Sequence, residues 1–174
     1  VDQEVKKSSK FMNYPIIGSD QELAKIKKEC EYAFVAIGQI KNSKIRENKF
    51  EELISLGFKI PFIISPNAYV SSRSNIEAGT IIMHKAIVNS NVKIGKNCII
   101  NSRSLLEHDV NVEKNCHIST GAILNGEVKI GKNTFIGSGS ILKEKVKVGE
   151  NCIIGAGCTI LKDIKDNSFY KNEK

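Results

Sequence analysis

The sequence predicts a β-solenoid of triangular section preceded by a small α/β unit, and three observations predict it. The first is a period of six: from Val70 every sixth residue is aliphatic, through Ile76, Ile82, Val88, Ile94, Ile100, Leu106, Val112, Ile118, Leu124, Ile130, Ile136, Leu142, Val148, Ile154 and Ile160. The second is a companion column two residues earlier, running from Ser74, Thr80 and Ala86 to Val146, Cys152 and Cys158, in which every member is small or is valine. The third is the gathering of Gly and Asn one residue after the aliphatic position (Gly95, Asn101, Gly131, Gly155) and three after it (Asn91, Asn97, Asn115, Gly121, Asn133, Gly157). A period of six fits neither a helix face nor strand alternation, but it fits a coil that turns a corner every six residues. Gly and Asn tolerate positive φ, so they collect at the corners.

Three hexads make a coil of 18 residues, and the 96 residues from Val70 to Lys165 supply a little over five coils. At the usual strand spacing the prism stands roughly 25 Å tall. Backbone groups pair from coil to coil while the aliphatic column fills the inside. This sets three segments: an α/β unit over 1–66, the solenoid over 67–165 and a tail over 166–174.

The α/β unit is read element by element. Pro15 to Ile17 forms a short strand, and Ser19 with Glu22 makes a capping box that opens a helix running to about Cys30. Tyr32 to Ile37 is an apolar strand ending at Gly38. Asn42 or Ser43 caps a second helix whose apolar face carries Ile45, Phe50, Leu53, Ile54 and Leu56, and Gly57 stops it. Ile60 to Ile64 is a further strand closed by Ser65 and Pro66. Strand, helix, strand, helix, strand is the order of a small parallel α/β unit.

Composition narrows the function. The net charge of +7 is spread over both halves, aromatics make up 6% of the chain, and no nucleic-acid recognition motif is present, so a lysine-rich solvated surface is expected rather than a nucleic-acid interface. A positive field of this kind also attracts phosphorylated small molecules, coenzyme A among them. No apolar run is long enough to span a membrane and no secretory pattern opens the chain, which leads us to expect a cytoplasmic protein with no membrane partner. Four of the five cysteines (Cys98, Cys116, Cys152, Cys158) fall in the small inward column without metal-ligand spacing, as reduced core residues would.

The repeat, aliphatic then Gly, Ala, Glu or Asp, two free positions, then Ser, Thr, Ala or Val, resembles that of the hexapeptide-repeat acyltransferases. The resemblance implies a left-handed parallel β-helix, although crossovers between parallel strands are ordinarily right-handed. Ala36, Ile37 and Gly38 followed by Lys44, Ile45 and Arg46 look like the second half of the Rossmann-like domain found in one branch, the sialic acid O-acetyltransferases and nucleotide-linked amino-sugar N-acetyltransferases. Val1 and Asp2 resemble the end of that domain's second strand, so a partial, N-terminally shortened Rossmann-like domain is expected.

Within that branch, Leu106, Glu107, His108, Asp109 and Val110 followed by His117 and Ile118 resemble the catalytic stretch. The resemblance implies His108 as general base, with Asp109 as the carboxylate on its far ring nitrogen and Glu107 as second candidate. It gives His117 a role at the acetyl-CoA thioester or at the substrate, and Gly126, 18 residues beyond His108, the amide for the developing oxyanion. Asn101 coincides with a substrate contact, and equally with a corner Asn. Ser138, Gly155 and Ala156 match positions along the pantetheine arm of acetyl-CoA. A homotrimer is implied, because the cofactor groove lies between two solenoids. No metal is expected. The rivals are a non-catalytic binding solenoid and a carbonic-anhydrase-like metal enzyme, which needs three converging histidines that the spacing of His84, His108 and His117 does not supply. Sequence leaves the acceptor open between a sugar amine and a sialic acid hydroxyl.

Overall fold

The computed structural model describes residues 10–172, so the resemblance drawn on Val1 and Asp2 falls outside the described residues. From Ile63 to Tyr170 the chain is a parallel β-solenoid of about six turns, built from two-residue strands in three sheets of seven, six and five strands. It fits the left-handed β-helix that the resemblance implies. As far as Ile160 pairing runs at a step of 18 residues, as in Leu105 with Ile123 and His117 with Phe135. Strands at Ile63–Ile64 and Phe169–Tyr170 join the seven-stranded sheet, so the solenoid reaches past both ends of 67–165.

We call the sheet of Ile82, Ile100, Ile118, Ile136 and Ile154 the first face. The second face carries Val88, Leu106, Leu124 and Leu142, and the third carries Ile94, Val112, Ile130 and Val148. The first corner joins first and second faces, the second joins second and third, and the third returns to the first. Both sequence columns are interior: the aliphatic residues from Ile82 to Ile160 and the small residues from Ala86 to Cys158 are buried in one continuous core. Cysteine and threonine alternate as equivalents there. Thr80 and Thr134 donate their hydroxyls to Gly95 O and Gly149 O at 2.8 Å, and Cys98 and Cys116 point Sγ at Glu113 O and Gly131 O at 3.1 Å.

The two glycine-rich phases have different causes. From Gly79 to Gly157 positive φ belongs to the third residue after the aliphatic position whatever its type, since Lys85, Arg103, Asp109 and Glu127 share it with Asn97 and Gly121. The residue after the aliphatic position has ordinary φ; Gly95 stands there because a Cβ would lie 2.7 Å from the amide of Lys114 in the next coil. At the third corner the asparagines join side chains into a ladder, Asn97 to Asn115 (2.9 Å), Asn115 to Asn133 (3.1 Å), Asn133 to Asn151 (3.1 Å) and Asn151 to Asn167 (3.2 Å).

The N-terminal segment departs from the expected Rossmann-like unit. Among the described residues before Ile63 are a hairpin of Lys10–Phe11 with Tyr14–Pro15, a 3₁₀ turn at Asp20–Glu22, and helices α1 (Leu23–Ile26) and α2 (Lys44–Ser55). The capping box of Ser19 and Glu22 is present, and helical bonding continues to Cys30 N–H. Residues 32–37 form no strand: Tyr32 makes a single parallel bridge to Lys59, and the carbonyls of Val35 and Ile37 accept instead from the Arg46 guanidinium at 2.6 and 2.8 Å. A side chain has taken the place of the neighbouring strand, so no sheet forms. The expected 60–64 strand shrinks to Ile63–Ile64 and belongs to the solenoid.

Helix α2 also buries a different face. Phe50 and Leu53 are interior as expected, but Ile45 and Ile54 are exposed and Arg46 is buried, so the inward line is Arg46, Phe50, Leu53 at helical spacing. This line lies on the third corner. A Cβ at Gly79 would fall on the Phe50 ring, which is why the asparagine ladder starts one coil later at Asn97. The other surfaces contrast. The third face presents Asn75, Lys93, Asn111, Lys129 and Lys147, whereas the second presents Tyr69, Ile87, Leu105, Ile123 and Ile141, with Tyr69 60% and Ile87 and Ile141 each 41% exposed.

Candidate active site

His108 stands on the second corner, one residue ahead of the positive-φ position held by Asp109 (φ 60). Its Nδ1 is 2.8 Å from Asp109 Oδ2, and because a carboxylate only accepts, the proton sits on Nδ1 and Nε2 is left as the basic atom. Asn91, one coil below, donates to the other oxygen of Asp109 at 3.3 Å. Glu107 is turned away and accepts from Asn89 at 2.8 Å, so Asp109 is the carboxylate on the ring. Through this hydrogen bond, and then the negative charges of Asp109, Glu107 and Glu127, the His108 pKa is raised, while the bond to His108 holds Asp109 below its ordinary value. The ring is open to solvent, with 61% of the side chain exposed.

One coil above lies Gly126. A Cβ there would be 2.7 Å from both Cε1 and Nε2 of His108, so the ring rests on the bare Cα. Among the described residues the Gly126 N–H has no acceptor, while Glu127 N–H donates to His108 O at 3.0 Å. His108, Asp109 and Gly126 thus form one cluster: a base with a fixed tautomer beside a free backbone amide.

The other predicted residues lie elsewhere. His117 projects from the first face, away from the core, yet is only 8% exposed. Gln39 O lies 2.7 Å from Nδ1, Asn101 Nδ2 lies 3.2 Å from Nε2, and Phe135 meets the ring edge-on at 5.2 Å. Burial lowers its pKa, with Gln39 opposing and the charge of Arg46 adding to the effect, so it is neutral where His108 is readily charged. Asn101 opens the first corner, and Ser138, Gly155 and Ala156 follow it up the same edge. Ser138 shares a hydroxyl contact of 2.8 Å with Ser119, and the Gly155 amide is occupied by Tyr170 O at 2.8 Å. The second corner and the first corner bound the second face from opposite sides, so within one chain the whole width of that face separates the base cluster from the His117 cluster.

His84 is exposed, with Nδ1 2.7 Å from Ser65 Oγ. Among the described residues no group of three His, Cys, Asp or Glu is placed to hold a metal. Sequence reasoning missed Asn91 and Gln39. Asn91 lies 18 residues before Asp109 and the coil repeat announces it, whereas nothing periodic points to Gln39.

Three comparisons bear on this geometry. The bacterial transferase hexapeptide family (six repeats) matches residues 73–108, 109–144 and 127–162. None of the curated proteins matches. Among solved structures, the acetyltransferase domain of PglB from Neisseria gonorrhoeae in complex with acetyl coenzyme A is 32% identical, with a TM-score of 0.89 over 96% of this chain and 80% of that one. A mutant of perosamine N-acetyltransferase from Caulobacter crescentus, in complex with CoA and GDP-perosamine, is 26% identical with a TM-score of 0.88 over 94% of this chain and 77% of that one. WeeI from Acinetobacter baumannii, 23% identical with a TM-score of 0.84 over 94% and 77%, shares the fold. By its repeat, its coil geometry and these likenesses, the chain belongs to the bacterial transferase hexapeptide family and is a hexapeptide-repeat acyltransferase.

Proposed function

We propose that this protein transfers the acetyl group of acetyl-CoA to the amino group of a nucleotide-linked amino sugar in the cytoplasm, working as a homotrimer. The observation that carries the reading is the His108–Asp109 pair lying against Gly126 on an open corner. The amine attacks the thioester carbonyl, and His108 Nε2 takes its proton as the new C–N bond forms. Asp109 keeps Nδ1 protonated and stabilises the imidazolium, and the Gly126 amide receives the oxygen as it gains charge. Collapse breaks the C–S bond, and the proton held by His108 leaves with the coenzyme A thiolate. Acetyl-CoA would lie along the first corner of a neighbouring copy, past Ser138, Gly155 and Ala156, with Asn101 and His117 at its reacting end. An amine is favoured over a sialic acid hydroxyl because perosamine N-acetyltransferase, to which this chain is similar, is solved with CoA and GDP-perosamine.

The separation of the two clusters supports the trimer. An apolar second face lies between them, and covering it with a second copy brings the second corner of one chain to the first corner of the next. Complementation tests both parts. At amino-sugar concentrations below KM, His108→Ala homotrimers should release thiol from acetyl-CoA about 10² to 10⁴ times more slowly than wild type, and His117→Ala homotrimers at least about tenfold more slowly. Dissociated, mixed in equal amounts and reassembled, they should recover roughly a quarter of wild-type turnover, because that fraction of shared sites draws one intact half from each variant. No recovery with assembly intact would refute a shared site. Acetylation of sialic acid and of no amino sugar would replace the acceptor.

A further inference from the structure

The segment that failed to become a strand is fastened across the solenoid with unusual thoroughness. Arg46, 2% exposed and without a carboxylate partner among the described residues, donates to Val35 O and Ile37 O on one side and to Gly79 O (3.2 Å) and Asn97 O (3.3 Å) on the other. Two residues on, Gln39, itself 6% exposed, donates from Nε2 to Asn115 O at 2.6 Å. Gly79, Asn97 and Asn115 are the same corner position in three successive coils, so residues 35–39 are strapped to the third corner at each step. A buried cation held by carbonyls and the face of the Phe34 ring is costly, and burial lowers the Arg46 pKa to about 10. An arrangement of that cost fixes its surroundings closely.

Beyond the strap, donors and acceptors follow one direction. Gln39 O accepts, so His117 carries its proton on Nδ1 and offers a lone pair at Nε2. Asn101 Oδ1 is already taken by Ser102 N–H at 2.7 Å, so the amide cannot be flipped and Nδ2 faces His117. One Asn101 N–H goes to His117. The other is left over on a half-buried side chain at the first corner.

We propose that Gln39 and Arg46 are positioning residues, which hold a relay from Gln39 through His117 to Asn101 in a single polarity and thereby aim one free N–H of Asn101 at an oxygen of the acceptor sugar. This rests on the functional reading above, in which the first corner holds the reacting end of the ligands. It assigns the two histidines opposite duties: His108 titrates and moves a proton, while His117 stays neutral and holds an amide in place.

The relay is read first in the free, full-length protein by ¹⁵N NMR of the histidine rings. His117 should be the Nδ1–H tautomer at neutral pH; an Nε2–H tautomer or an imidazolium would overturn the proposal without any substitution. Gln39→Ala removes the tie to Asn115 and keeps the backbone carbonyl. In it the His117 tautomers should mix, and KM for the amino sugar should rise about tenfold, as loss of one aligned hydrogen bond implies, while KM for acetyl-CoA changes less than about twofold. An unchanged tautomer and an unchanged sugar KM in Gln39→Ala would also overturn it. Should wild type acetylate no amino sugar, the functional reading falls and the sugar-aiming role with it, whereas the tautomer still decides the relay.

Discussion

Replacing Gly126 by alanine places one methyl group against the candidate base and alters little else. Gly126 has ordinary φ, so alanine suits its backbone, and the amide proposed to face the oxyanion is retained. The new Cβ would stand 2.7 Å from His108 Cε1 and Nε2, where ordinary contact begins at 3.4 Å, so the ring must withdraw by about 0.7 Å or more (3.4 less 2.7). His108 is largely exposed and free to yield, which keeps the cost to folding small, but the bond to Asp109 at 2.8 Å limits where the ring can go. A displacement approaching 1 Å at a reacting group lowers rates by up to about 10²-fold, and we expect Gly126→Ala to lose about 10- to 100-fold in kcat, or about 1.4 to 2.7 kcal/mol of transition-state stabilisation. The assay is steady-state thiol release, with acetyl-CoA binding followed by thermal shift. Binding within about twofold of wild type, a melting temperature within a few degrees and a depressed kcat would meet the expectation. Full kcat with a preserved fold would refute the reasoning, because a base in contact with Gly126 cannot be indifferent to that methyl.

Two further substitutions probe the base cluster and the inward column. Asp109→Asn removes the bond and charge that raise the His108 pKa, so the pKa should fall and the acidic limb of the kcat/KM profile should move to lower pH as kcat drops; a limb that moves upward would show that another group titrates. Cys116→Ser keeps a donor for Gly131 O in a site where Thr134 already does the same with Gly149 O, so chemical denaturation should show a loss of about 1 kcal/mol or less, and Cys116→Ala about 1 to 2 kcal/mol; a larger loss for serine than for alanine would refute the equivalence.

The solenoid was legible because its signal is periodic and local. An aliphatic residue every six positions must be interior in any coil that turns at that interval, and Ile82, Leu106 and Ile130 are buried accordingly. The pairing of His108 with Asp109 was legible for a similar reason, being a contact between adjacent residues. Contacts carried by a single long side chain were not. Arg46 reads as the polar side of an amphipathic helix until its carbonyl partners are known, and those partners lie at separations of 9, 11, 33 and 51 residues without any repeat. Arg46 diverts two carbonyls from strand pairing, and the expected strand over Tyr32 to Ile37 is lost with them. The cover over His117 was hidden in the same manner. The direction of the ring follows from its place beside Ile118, but its cover comes from Gln39, 78 residues earlier.

The top of the solenoid breaks the step of 18: Leu142 still pairs with Ile160, but Val148 bridges Ile164 and Ile153 pairs with Phe169, each at 16. Four residues instead of six separate Ile160 from Ile164, so the shortening falls at the second corner, where Asp163 accepts from Lys147 N–H at 2.8 Å. Open parallel strands invite copies to stack end on end into filaments. A coil with one side drawn in cannot match a regular coil on all three faces at once, and at the opposite end Pro61 and Pro66, which have no N–H to offer, bracket the first strand. Uneven ends therefore protect the stack from polymerising along its own axis, and restoring two residues between Ile160 and Ile164 would weaken that protection.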